Sequence, residues 1–279
     1  IRGAAHATKA GNINPYLVDA PDLVVGNRNV PLCDVPQMRW GNKPTDGGHL
    51  ILSPEERREL LELEPGAEKF VRRYMSGGDF LNGVERYCLW LVDALPQELR
   101  ALPRVMARVE AVRQSRLASK AASTREYAAH PTLFRQIAQP DTDYLAIPEV
   151  SSERRQYIPM AYLPKEVICS NKIQFVPNAT LLHFGVLQST MHMAWMRTVC
   201  GRLKNDYRYS ASIVYNNYPW PEAPTAQQRE AIEAAARAVL DARGQFPGAT
   251  LADLYDPLTM PPVLLRAHQT LDRAVEAAY

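Results

Sequence analysis

The chain has 279 residues, of which 46% are hydrophobic and 22% charged, with a formal net charge of +2. These values suit a folded soluble protein with one large core or two modest ones, and they exclude a polycation. No stretch approaches the roughly 18 apolar residues of a membrane span. No signal peptide opens the chain, and the four cysteines, Cys33, Cys88, Cys169 and Cys200, form no C-x-x-C pair. They read as reduced thiols of a cytoplasmic protein. Of the 32 basic residues seven are lysine, so arginine dominates. Arginine suits forked contacts to phosphate and guanine, although GC-rich coding explains the bias equally well.

The opening, Ile1 onward, reads as the interior of a longer polypeptide. Residues 1–52 are rich in Pro, Gly and Asn with short apolar runs, which predicts short strands and loops, with Gly41–Gly48 as an exposed turn. Ser53-Pro54-Glu55-Glu56 predicts a capped helix start, and Pro65 its end. Ser76–Gly83 reads as a break, and the run through Cys88 and Leu89 as strand or core. From Leu99 to about Tyr127 the spacing of Val105, Val109 and Val112 predicts one long helix. Short apolar runs between Tyr144 and Leu187, the last of them Ala179–Leu187, read as strands. Helix returns after Ser189, again over Ala226–Ala242 with Ile232, Ala236, Val239 and Leu240 on one face, and in the tail. Helices, then sheet, then helices, without βαβ regularity, predict an α+β fold.

Chemistry is conspicuous by its absence. Asn14-Pro15-Tyr16 lacks the second proline of the loop with which adenine methyltransferases grip a base, and no Gly-rich loop follows a strand. None of the seven lysines lies two residues after an acid, as a metal-dependent nuclease of the PD-(D/E)xK type requires. His183 and His192 lack zinc spacing, and no G-x-S-x-G elbow occurs. The chain by itself therefore reads as non-enzymatic, with no metal and no cofactor of its own.

The run Gly201–Ser210 alternates Lys204, Asp206 and Arg208 with Tyr207 and Tyr209. A solvated ion pair explains the charges. A surface that reads base edges explains charges and aromatics together, since it needs donors, acceptors and flat apolar contacts.

Four runs, INPYLVDAPDLVV, GNKPTDGGHLILS, SSERRQYIPMAYLP and the long segment from Leu181 to Pro221, resemble the C-terminal part of MmeI-like restriction–modification enzymes. The resemblance extends from about Asn12 to Tyr279. It implies a DNA target-recognition domain over residues 1–221 and a helical C-terminal domain over 222–279. It places the nuclease and N6-adenine methyltransferase upstream in the same polypeptide, and assigns S-adenosylmethionine and Mg2+ to those domains. It further implies that Lys204 and Asp206 vary with one base pair read, and that Arg208 and Lys172 form a second reading pair. Lysine donates to guanine O6/N7 and aspartate accepts from cytosine N4, so Lys204 and Asp206 suit a G·C pair. Candidate contacts to the backbone of double-stranded DNA are Lys43, Arg154, Arg155 and Arg202, together with Arg113, Arg116 and Lys120 along the predicted helix; such contacts position without specifying. The alternative is a helical interaction module in which DNA contact is incidental.

Overall fold

The computed structural model describes residues 9–279, so Ile1–Thr8 of the opening lie outside the described residues. The fold is α+β, as the element order predicts. Residues 9–38 run almost entirely without helix or sheet before β1 (Arg39–Trp40) and β2 (Ile51–Leu52). Helix α1 (Pro54–Leu63) starts as its sequence demands: Ser53 Oγ accepts from Glu56 N at 3.2 Å, and the Glu56 carboxylate accepts from Ser53 N at 2.9 Å. Two of the orphan donors of the first turn are thereby satisfied reciprocally.

After a 3-10 turn come β3 (Val71–Met75), α2 (Gly77–Asn82) and β4 (Tyr87–Leu89). The α2 segment departs from expectation. Its small residues form a helical turn and a half because Ser76 and Asp79 cap it reciprocally and Gly83 ends it at φ 64°. The long helix expected from Leu99 is three: α3 (Pro96–Arg100), α4 (Pro103–Leu117) and α5 (Ala122–Glu126). Pro103 cannot donate to the preceding turn, so a new helix begins there. Glu64, from 40 residues away, supplies its cap by accepting from Arg104 N and Val105 N.

Strands β5 (Tyr144–Pro148), β6 (Val150–Ser151), β7 (Ala161–Leu163), β8 (Ile168–Cys169) and β9 (Ile173–Pro177) follow. The run expected as a further strand is instead helix α6 (Leu181–Leu187), begun by Thr180. It is apolar almost throughout because it is buried, and short apolar runs of this kind carry no period that separates strand from helix. Gly185 lets it approach the next long helix closely: a Cβ there would stand 2.7 Å from Ile232 Cγ2. Helix α7 (Thr190–Val199) is capped by Ser189 as expected, and the hairpin β10 (Gly201–Leu203) and β11 (Asp206–Arg208) leads into a single π-helical turn. Helices α8 (Ala226–Gly244), α9 (Leu251–Leu254) and α10 (Pro262–Glu276) complete the chain.

Among the described residues the strands form three small sheets: β1-β9-β5-β7, all antiparallel; β10-β11-β6, also antiparallel; and β2-β4-β3-β8, whose β3–β8 pair is parallel. Val105, Val109 and Val112 of α4 seal the last of these against Leu52 and Leu60. The largest core joins Leu145 and Val176 of the central sheet to Ile232 and Val239 of α8 and to Leu264, Leu271 and Val275 of α10. The tail helices therefore share one core with the body. Among the described residues no helix is long and apolar enough to cross a membrane.

Candidate functional site

A single residue, Glu149, joins β5 to β6, and its main chain is fixed from two sides. Glu149 N donates to Lys172 O at 3.0 Å, and Tyr209 N donates to Glu149 O at 2.7 Å. These bonds set its side chain between the turn before β9 and strand β11. There Oε2 accepts from Lys172 Nζ at 3.1 Å and Oε1 from Arg208 Nε at 3.0 Å. The carboxylate is largely buried, whereas the Lys172 and Arg208 side chains are 61% and 59% exposed. Because both cations stay hydrated, each pair adds only about 0–1 kcal/mol, so their main consequence is orientation. Each cation is held by one donor and turns the others to solvent.

Strand β11 places the neighbouring charges. Successive side chains alternate across a strand, so Asp206 and Arg208 share a face while Tyr207 turns inward. Tyr209 is also buried, its hydroxyl 3.0 Å from His192 Nε2. Burial pushes the Tyr209 phenol well up and the His192 imidazole down to about 3, so both are neutral. The interleaved tyrosines are therefore core residues and do not face a ligand; this corrects the expectation that base contact accounts for them. Lys204 and Asn205 form the two-residue turn between Leu203 and Asp206. Lys204 sits there at φ 56°, in the left-handed region that glycine favours. Its side chain is exposed at the hairpin tip, while Asp206 is half-buried and accepts from Glu153 N at 3.4 Å.

Behind these residues lies an open cleft of about 370 Å3. Gly77, Gly78 and Leu81 of α2 form one wall, and Ser151, Ser152, Arg155 and Asp206 the other, with Glu149 and Lys172 between. Arg155 enters from the loop after β6. One of its terminal nitrogens donates to Ser151 Oγ at 3.4 Å, and its Nε is buried without a partner. Burial lowers its pKa, opposed by the carboxylates of Asp256 and Asp206. The cleft thus gathers acceptors and donors of both signs, as a surface that reads polar edges requires.

The remaining candidates are scattered. Arg154 is exposed beside Arg155. Arg202 lies 4.3 Å over the Tyr207 ring and donates to Asn205 O at 3.0 Å, stiffening the hairpin. Lys43 is exposed, its main chain bridged to Gln136. Arg113 is paired with Glu110 at 3.0 Å on the wet side of α4, and Lys120 lies beyond the end of that helix. Arg116 does not belong to a DNA-facing arc. It is 1% exposed and donates to five main-chain carbonyls, those of Pro44, Thr45, Tyr127, His130 and Leu133. No phosphate can reach it, because it is a structural rivet under the Gly41–Gly48 segment.

Two contributors escape sequence reasoning. Glu149 stands 23 residues from Lys172 and 59 from Arg208, with nothing local to mark it. The α2 wall lies in the Ser76–Gly83 segment, whose small residues read from sequence as a break.

Residues 19–222 match the target recognition domain of MmeI, and residues 224–279 match the MmeI C-terminal domain. The chain therefore belongs to the family of MmeI target recognition domains with the C-terminal domain attached. It is similar over 99% of its length to the type IIL restriction-modification enzyme MmeI in a structure solved with DNA, at 50% identity and a TM-score of 0.95. It is also 39% identical, over 96% of its length, to DNA methyltransferase A of Bacillus subtilis (strain 168). The chain covers 37% of the first and 30% of the second, about a third of each.

Proposed function

We propose that this chain is the part of a restriction–modification DNA methyltransferase that selects the DNA sequence. It binds double-stranded DNA in the major groove and reads base edges from the cleft around Glu149. The observation that carries this reading is the Glu149 carboxylate with Lys172 and Arg208 on its two oxygens, beside Asp206 and Arg155. Donors and acceptors held within one rigid cluster match the mixed pattern of a base-pair edge, whereas phosphate binding needs cations alone.

Lys204 and Asp206 read one G·C pair: the ammonium donates to guanine O6/N7 and the carboxylate accepts from cytosine N4. Arg208 and Lys172 read a second pair, oriented by Glu149. Lys43, Arg113, Lys120, Arg154 and Arg202 approach the DNA backbone and set the register. The full polypeptide joins this module to an N6-adenine methyltransferase domain and a nuclease, in the cytoplasm. The target adenine turns out of the helix into the methyltransferase. S-adenosylmethionine and Mg2+ serve those domains.

The reading of the tail as a docking module for other proteins has less support. The apolar residues Ile232, Val239, Leu264, Leu271 and Val275 of α8 and α10 are spent in the shared core. The test is selection of the full-length protein against randomised duplexes at about 100 mM salt, where non-specific binding is already weakened. Enrichment of a short asymmetric sequence containing a fixed G·C pair supports the proposal. Binding without enrichment contradicts it.

A further inference from the structure

We infer that Asp272, on the last helix, is a positioning residue for sequence selection: it latches Tyr157 and so fixes the loop that carries Arg154 and Arg155 into the cleft. This rests on the DNA-reading function proposed above. Residues 152–157 run from the end of β6 back into the core, and three holds define their path. At the front, Glu153 N donates to Asp206 Oδ1 at 3.4 Å. In the middle, Arg197 of α7 donates to the carbonyls of Arg155 and Gln156 at 3.3 and 3.0 Å. At the back, the hydroxyl of the fully buried Tyr157 donates to Asp272 Oδ2 at 2.7 Å.

Asp272 acts on two of these holds. Its other oxygen, Oδ1, accepts from Thr190 N at 2.8 Å, in the first turn of α7, the helix that bears Arg197. One carboxylate thereby sets the loop directly at Tyr157 and through α7 at Arg155 and Gln156. The latch is itself braced. His268, one helical turn before Asp272, stacks on the Tyr157 ring at 4.0 Å and lies 2.8 Å from the Tyr255 hydroxyl. Arg243 of α8 donates to that same hydroxyl at 2.7 Å and to Gln188 at 2.9 Å.

Packing alone would be served as well by apolar side chains, since burying an acid is costly unless its oxygens are bonded. What a bonded acid adds is a defined direction and distance. Here that direction fixes Tyr157, two residues from Arg155, which lines the cleft with Asp206. The tail is thus part of the reading apparatus, through a buried residue outside the cleft lining.

The test uses the full-length protein carrying Tyr157→Phe, Asp272→Asn, both together, or Arg197→Gln. Each is compared with wild type by competition between the selected duplex and duplexes changed at one base pair, by salt dependence of non-specific binding, and by thermal unfolding. Both single core variants are expected to lose about tenfold in discrimination at one position, within the range that one base contact supplies. Non-specific binding should change much less, since Arg154 is one of five proposed backbone contacts, and the double variant should lose no more than the worse single. Arg197→Gln, at an exposed residue, should show the same selective loss and decides the matter if either core variant does not fold. Wild-type discrimination in the folded variants, or an equal loss on every duplex, overturns the latch alone. A wild-type protein that selects no sequence overturns the DNA-reading function and the latch with it.

Discussion

Arg208 Nε lies 3.0 Å from Glu149 Oε1, although 59 residues separate them in the chain. The contact follows from strand pairing: Arg208 pairs with Val150, the residue immediately after Glu149. The acid therefore meets the arginine wherever the sheet forms, and Lys172 completes the cluster from the turn before β9.

Glu149→Gln keeps the shape and removes the charge. Because both cations are well exposed, losing the two pairs should change stability by about 2 kcal/mol or less, a shift of at most about 8 °C in Tm. The selected DNA sequence should change at one base pair, because Arg208 and Lys172 lose their common anchor. Selection against randomised duplexes reads this, and an unaltered sequence would remove the orienting role of Glu149.

Arg116 makes the opposite prediction. Arg116→Ala leaves five carbonyls without their donor and should cost at least about 3 kcal/mol. Arg116→Lys, with three donors on a point charge, should rescue only part of this. Arg113→Ala, on the wet face, should leave unfolding unchanged. Urea denaturation of the three variants compares them directly, and equal midpoints would contradict the buried position.

Lys204 occupies a conformation that costs a side-chain residue about 1–2 kcal/mol relative to glycine. Lys204→Gly should therefore raise the unfolding midpoint and, if Lys204 has the proposed base-reading role, erase preference at one base pair. Strain kept at a recognition tip is expected where function requires the side chain. A Lys204→Gly protein that is no more stable, or that selects the wild-type sequence, would refute one half of this statement or the other.

How much of this was legible beforehand depends on distance along the chain. The capped starts at Ser53 and Ser189 and the long helix after Thr225 carry local signals and form as read. The Leu181–Leu187 helix does not, since an apolar run buried on every side has no period to betray it. Arg116 did carry a signal: Val105, Val109, Val112 and Arg116 recur at intervals of four, three and four, which puts the arginine on the buried stripe. Its charge argued for the surface, and five carbonyls reversed that argument. Asp206 and Arg208 were legible as a shared face from their spacing. Glu149 and the Tyr157–Asp272 pair were not, because pairings over 23, 59 and 115 residues depend on tertiary structure.

Among the described residues buried histidines shape the pH response, His192 and His268 most deeply, with the part-buried His183 lowered in the same way. Burial lowers His192 to about 3 and His268 well below its ordinary value of 6.5, with the Arg243 charge adding to the effect at His268. Both are neutral when folded and protonate once exposed, so the unfolded chain binds more protons as pH falls below about 6.5. Their contribution is complete above pH 6.5 and is lost progressively as pH falls below it, down to about pH 3 for His192, at up to about 1.4 kcal/mol per pH unit for each. The urea midpoint should fall steadily between pH 7 and pH 5. A flat profile would mean that neither imidazole is held neutral by the fold.

The most direct measurement exchanges the charges at the hairpin. The full-length protein carrying Lys204→Asp and Asp206→Lys together is selected against randomised duplexes beside wild type. If these two side chains read one base pair, the selected sequence should keep every position but one, where G·C becomes C·G. An unchanged sequence in the exchanged protein, or one altered at many positions at once, would contradict the assignment.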